Sequence, residues 1–170
     1  MVRVEQVLES WKAIRNDTAI AVEDMPASEL DFHPTSDLTP FREIARHVLD
    51  AGDGLTGLLL AGEDNFATPE FRAKLKDHLR ELPADSDAAA LAAALREAVA
   101  QRTAAFAAKP AEFFDGIVTR FDGQQVTRLE MLQSIKEHEL THRQQLFVYL
   151  RLKGIVPATT RRRLAKQAAK

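Results

Sequence analysis

Apolar positions along the chain fall into four long stretches of helical period, separated by breaks rich in Pro, Gly and Asp. In the first, Val4, Val7, Leu8, Trp11, Ile14, Thr18 and Val22 recur at the spacing that places them on one helix face, and Pro26 stops the run. Residues 27–38 carry no period, and Leu30, Phe32 and Pro34 are expected to anchor this stretch to the core. A second helix is predicted from Thr39, a capping residue, and Pro40, which suits the first helical position because its missing N–H would find no partner there. Phe41, Ile44, Ala45, Val48, Gly52, Leu55 and Leu59 form its stripe, His47 lies at the edge of that stripe, and Gly62 is the expected stop.

Residues 62–86 are mixed, with Thr68-Pro69 predicting a short helix that reaches about Arg80. Asp85-Ser86-Asp87 marks the start of an alanine-rich helix with Leu91, Leu95, Val99, Arg102 and Phe106 inward, ended by Lys109-Pro110. Residues 117–126 form the one strand-like stretch, and Asp122-Gly123 in its centre favours a tight hairpin turn. Thr127 and Glu130 make a capping box that opens the last long helix, which runs to about Lys153 before Gly154 and Pro157 close it. Four long helices within residues 1–157 predict an all-α fold, a four-helix bundle with a short hairpin or loop before the last long helix. Residues 158–170 are predicted to form a basic C-terminal tail helix.

Composition narrows the classes. With 45% apolar and 28% charged residues, the 170-residue chain is an ordinary globular sequence of one-domain size. A net charge of -2 gives no global field toward nucleic acid or membrane, so neither is expected as a partner. The absence of cysteine excludes disulfides, iron–sulfur clusters, thiolate zinc sites and a cysteine nucleophile. Glu5, Glu9, Asp17, Glu23 and Asp24 and the lack of an apolar run near the start argue against a signal or transit peptide. No run approaches the roughly 18 apolar residues of a membrane span, and a cytoplasmic location is expected. Arg161-Arg162-Arg163 with Lys166 and Lys170 reads as a solvated basic tail, since nucleic-acid binding would want aromatics or a broader basic face.

The chemistry lies on the last long helix. Its inward stripe is Met131, Leu132, Ile135, Leu146, Tyr149 and Leu150, yet His138, Glu139 and His142 fall on the same stripe, with Gln145 at its margin. Each would cost about 1–3 kcal/mol if buried without a partner. The i, i+4 spacing of His138 and His142 is chelating geometry, and a divalent cation would satisfy both. For a third ligand, His47 is preferred because it flanks an apolar stripe. His33, beside Pro34 in an irregular loop, and His78, among Lys76, Asp77 and Arg80 and so expected in solvent, are the alternatives. Three imidazoles leave a fourth position open, which points to Lewis-acid chemistry or activation of a bound water or thiol. Imidazole ligands suit zinc, nickel, iron and copper alike.

The same residues admit other readings. The run His138-Glu139-Leu140-Thr141-His142 also matches the zinc-metalloprotease pattern, in which the glutamate is the general base. That chemistry uses a sheet edge to align the peptide, and no convincing sheet is predicted. Glu139 is the one candidate catalytic base, but it is expected instead to orient a ligand or pair with an arginine, as metal-bound histidines commonly require. Gln145 is placed in the same supporting shell. Arg143 and Trp11 are expected to be structural, and Tyr149 to be a core residue whose hydroxyl could reach the pocket. Leu129, Leu140 and Phe147 form a second apolar stripe, which predicts a homodimer.

Three segments carry a family resemblance: Leu30-Asp31-Phe32-His33-Pro34, the run from Phe41 to His47, and the run from His138 to Leu146. Together they resemble the DinB-like (YfiT-like) proteins over nearly the whole chain. The resemblance implies an up-down-down-up order of helices and a divalent metal, such as zinc, nickel or iron, held by His47, His138 and His142. Similar proteins are usually dimers, and some are transferases or isomerases that use low-molecular-weight thiols such as bacillithiol, mycothiol or glutathione. Gln144 departs from the family, which often has glycine there, but it lies off the inward face. Position 33 varies among relatives, so His33 is not inherited as a ligand. The implied function is that of a metal-dependent transferase or related enzyme, acting on a small molecule with a thiol or a metal-bound water. The alternative is a non-catalytic metal-binding stress-response bundle.

Overall fold

The computed structural model describes residues 2–169, so Lys170 of the basic tail lies outside the described residues. The four long helices are α1 (Val4–Asp24), α2 (Phe41–Ala61), α4 (Ala88–Ala107) and α6 (Arg128–Leu152). Shorter pieces are α3 (Phe71–Leu75), α5 (Ala111–Asp115), α7 (Ala158–Ala168) and a hairpin of β1 (Ile117–Thr119) and β2 (Gln125–Thr127). No helix among the described residues is long and apolar enough to cross a membrane.

Two apolar clusters fix the helix directions. At one end, Ala19 and Val22 from the end of α1 meet Phe41 and Val48 from the start of α2, Leu91 and Leu95 from the start of α4, and Leu146 and Leu150 from the end of α6. At the other end, Val7, Leu8 and Trp11 meet Leu58, Leu59, Phe106, Met131 and Leu132. Helices α1 and α6 therefore run one way and α2 and α4 the other, the up-down-down-up order. Each of α1 and α2 packs on both α4 and α6, so α1 and α2 sit on a diagonal. The parallel pair α2 and α4 needs a connection the length of the bundle, and residues 62–87 supply it.

This crossover departs from the sequence expectation. A helix from Thr68-Pro69 to Arg80 was expected, but only Phe71–Leu75 is α-helical, followed by a 3-10 turn at Lys76–His78. The reason is close packing on α2. A Cβ at Gly54 would meet the Leu75 side chain and one at Gly57 would meet His78, so both glycines are needed for the approach. His78 consequently packs against α2 instead of standing in solvent. The buried Asp53 then anchors the segment, accepting from Arg80 Nε at 2.7 Å and from Arg102 Nε of α4 at 3.1 Å.

Local signals fare well elsewhere. Thr127 and Glu130 form the reciprocal capping box, and Asp87 Oδ1 caps α4 by accepting from Ala90 N at 2.8 Å. The β1–β2 register pairs Val118 with Val126, and the turn closes through Arg120 N donating to Gln124 O at 2.8 Å. Gly123 supplies its left-handed residue at φ +81°. Pro40 takes the N-cap of α2, one position outside its expected place. The C-terminal α7 docks on α1, where Arg162 Nη2 bonds to Asp17 Oδ1 at 2.6 Å and Arg161 Nη1 to Asp24 Oδ2 at 2.8 Å. The second apolar stripe of α6 does not face outward: Phe147 is buried and Leu129 packs on the core, leaving only Leu140 of the three exposed. That stripe therefore lends no support to a dimer.

Gly52 of α2 lies against the buried Arg15 guanidinium, and a Cβ there would collide with Arg15 Nη2. Alanine in a helix normally gains up to about 1 kcal/mol over glycine. Here overpacking wins, and Gly52→Ala is expected to destabilise by about 1–3 kcal/mol in chemical denaturation.

Candidate metal centre

Helix α2 carries His47 and α6 carries His138 and His142, one turn apart on the face turned toward α2. Their Nε2 atoms converge. His138 Nε2 lies 3.2 Å from His47 Nε2 and 3.0 Å from His142 Nε2. One ligand atom from each residue falls within 4.8 Å of the others. A tetrahedral ion held at about 2.0–2.1 Å from each nitrogen would set them about 3.3 Å apart, so the spacing fits.

Proton counting gives the same answer. Gln145 Oε1 accepts from His142 Nδ1 at 2.6 Å, which places that ring's proton on Nδ1 and leaves Nε2 with a lone pair. His138 Nε2 faces this lone pair and His47 Nε2 together. As an N–H it can serve one of them; as a lone pair it is opposed by His142. Either tautomer leaves one close N···N contact unmatched, and a cation at the convergence point resolves both.

The site also resists protonation. Lost hydration, with His142 and His47 alongside, pushes His138 from 6.5 down to about 4. His47 is lowered by lost hydration and by His142, against a weaker pull from Asp50 in the other direction. Neutral imidazole, the ligating form, therefore prevails at neutral pH.

Glu139 points elsewhere. Its Oε2 accepts from Trp11 Nε1 at 2.6 Å and its Oε1 from Arg15 Nε at 2.7 Å, with Thr18 Oγ1 at 3.3 Å. At 2% exposure, its hydrogen bonds go to α1 and not to the histidines. The carboxylate is thus paired with Arg15, and neither a base at the open position nor a direct hydrogen-bond support for a ligand fits this placement. Arg15 completes the network by donating to Leu95 O and Val48 O, each at 3.4 Å, so one guanidinium touches α4, α2 and α6. Arg15 was missed in the sequence, although it lies between Trp11 and Thr18 on the inward side of α1, where an arginine needs a carboxylate. Tyr149 Oη donates to Thr39 O at 3.0 Å and so is held by the loop before α2. His33 is exposed and bonds through Nδ1 with Thr35 O at 2.7 Å, away from the cluster, as is His78.

His47 and His138 of the triad open onto a cleft of about 500 Å³, which His142 does not line. His47, His138 and Ser134 stand at its polar side; Leu55, Phe71, Leu75, Leu79, Phe121, Met131 and Ile135 form apolar walls; Arg72 and Lys76 also line it. Phe71, Arg72, Leu75, Lys76, Leu79 and Phe121 come from the crossover and the hairpin turn, segments with no period to read.

The sequence profile described as the DinB family matches residues 1–169. The chain belongs to the DinB family. Among solved structures, the DinB-like protein YjoA from Bacillus subtilis is 22% identical with a TM-score of 0.69, over 88% of this chain and 92% of that one. YfiT from the same organism, described as a probable metal-dependent hydrolase with an unusual four-helix bundle topology, is 18% identical with a TM-score of 0.65, over 91% of each chain. A mycothiol-dependent maleylpyruvate isomerase is 16% identical with a TM-score of 0.63, over 85% of this chain and 61% of that one. At these identities the likeness is one of fold. No curated protein matches by sequence.

Two outcomes follow from the site. Glu139→Ala leaves Arg15 buried and uncompensated, and is expected to cost about 3–5 kcal/mol in denaturant unfolding. Because His138 takes a proton far less readily folded than unfolded, protonation pulls toward the unfolded chain: the metal-free protein should be unaffected by this group above pH 6.5 and lose part of its stability as pH falls toward about 4. Thermal unfolding across that window should show the fall, and His138→Gln should flatten it.

Proposed function

We propose that this chain is a metal-dependent enzyme, a transferase or a related catalyst of small-molecule chemistry, in which His47, His138 and His142 hold a divalent ion. The observation that supports it is the convergence of the three Nε2 atoms beside a mainly apolar cleft. A bound ion would supply Lewis acidity at its open position, lowering the pKa of a water or of a low-molecular-weight thiol. The protein's own part is positional. Gln145 holds the His142 ring so that Nε2 faces inward, and lost hydration keeps His47 and His138 neutral. The apolar walls exclude bulk water from a substrate seated beside the histidines.

Water and thiol remain the two candidate nucleophiles. The descriptions of the structural neighbours include one of each kind, a "probable metal-dependent hydrolase" and a mycothiol-dependent isomerase. The other reading is a bundle in which the metal only supports the fold. The buried Arg15–Glu139 pair counts against it, because the mid-height polar layer finds its partners within the protein.

Purified protein is expected to carry about one equivalent of zinc, nickel or iron by elemental analysis, and His142→Ala to lose most of it. Less than about a tenth of an equivalent, with the same uptake by the variant, would sink the proposal. Chelation should abolish hydrolytic or thiol-dependent turnover while shifting thermal unfolding little. A collapse in stability on chelation, with no turnover toward any thiol or ester, would instead favour the structural role.

A further inference from the structure

We propose that the cleft beside the histidines selects a small apolar molecule that ends in an anionic group such as a carboxylate. The inference rests on the reading of that cleft as the substrate site and adds the class of substrate. Its charges are unevenly matched. Asp50, the acidic group on its lining, is held by Arg46 Nε at 2.9 and 3.0 Å, so its charge is already balanced. Arg72 and Lys76 lie one helical turn apart on α3 and the turn after it, are exposed, and make no ion pair among the described residues. Their neighbour Lys74, in contrast, pairs with Glu63 at 2.7 Å.

Between these cations and the histidines the surface is apolar. Phe121, on the hairpin turn, is 51% exposed, an unusual exposure for a ring held 5.4 Å from Phe71 and 6.0 Å from Phe66. An aromatic wall that stays partly open, next to two unmatched cations, is complementary to an amphipathic anion. The cleft volume of about 500 Å³ suits a small molecule. The apolar body would lie on Phe121, Phe71 and Leu55, and the anionic end would meet Arg72 and Lys76.

The test compares phenylacetate with its neutral isostere phenylacetamide by ligand-observed NMR titration, on metal-loaded protein and on protein treated with chelator. The expected result is at least about tenfold tighter binding of the acid in both forms. Arg72→Gln with Lys76→Gln should erase that preference, and Phe121→Ala should weaken both probes alike. All three positions are on the surface, so these variants should fold. A preference that appears only with metal and survives the double substitution would put the anion on the ion itself; this overturns the inference and leaves the metal reading standing. Equal binding of the two probes, or binding of neither, overturns it as well. A preference that persists in a protein that takes up no metal would keep the inference and remove the metal reading.

Discussion

At mid-height in the bundle, a guanidinium and a carboxylate face each other almost without solvent. Arg15 and Glu139 are 1% and 3% exposed at their side chains, and burying either charge alone would be prohibitive. Their pairing ties α1 to α6, and the remaining guanidinium nitrogens reach main-chain oxygens on α4 and α2. Gly52 is required by the same group, since any side chain there would occupy its space. The pair thus fixes the rotation of α6 about its own axis. With Glu139 turned toward α1, His138 and His142 on either side of it in sequence turn toward α2, where His47 stands. The geometry of the triad is in this sense a consequence of an ion pair that does not touch it.

The two halves of the core share the labour differently. The apolar clusters at the ends set helix direction and carry most of the buried surface. The layer between them is polar and sets register, because hydrogen bonds discriminate between helix rotations that apolar contacts would tolerate. Asp53 plays the same part on the other side of α2, where two arginines from the crossover and α4 converge on it.

Much of this could be read from the chain because it is periodic. Four apolar stripes, the Thr127–Glu130 box and the i, i+4 histidines each follow from local geometry. His47 was harder, since a flank position on one helix does not say which histidine of another it meets; the family resemblance singled it out. Glu139 illustrates the limit. Its place on the inward face was legible, but whether it faced the histidines or an arginine on α1 depended on a partner 124 residues away in sequence. Leu55, Met131 and Ile135 of the cleft's walls lay on legible stripes, but the walls from the crossover and the hairpin turn were not legible. Phe71, Leu75 and Phe121 sit in short or irregular segments, where packing on Gly54 and Gly57, not intrinsic propensity, decides the path.

The up-down-down-up order obliges the chain to travel the bundle's length between α2 and α4 without contributing a long helix. That obligatory detour is what furnishes much of the cleft's outer wall. The histidines and the wall opposite them are thus built from separable stretches of polypeptide, one in the long helices and one in a crossover that packs on α2 at Gly54 and Gly57. Grafting a different crossover onto the same four helices would change what the pocket accepts while leaving the imidazoles in place. The graft would have to retain an arginine where Arg80 stands, or Asp53 would lose one of the two cations that balance its buried charge.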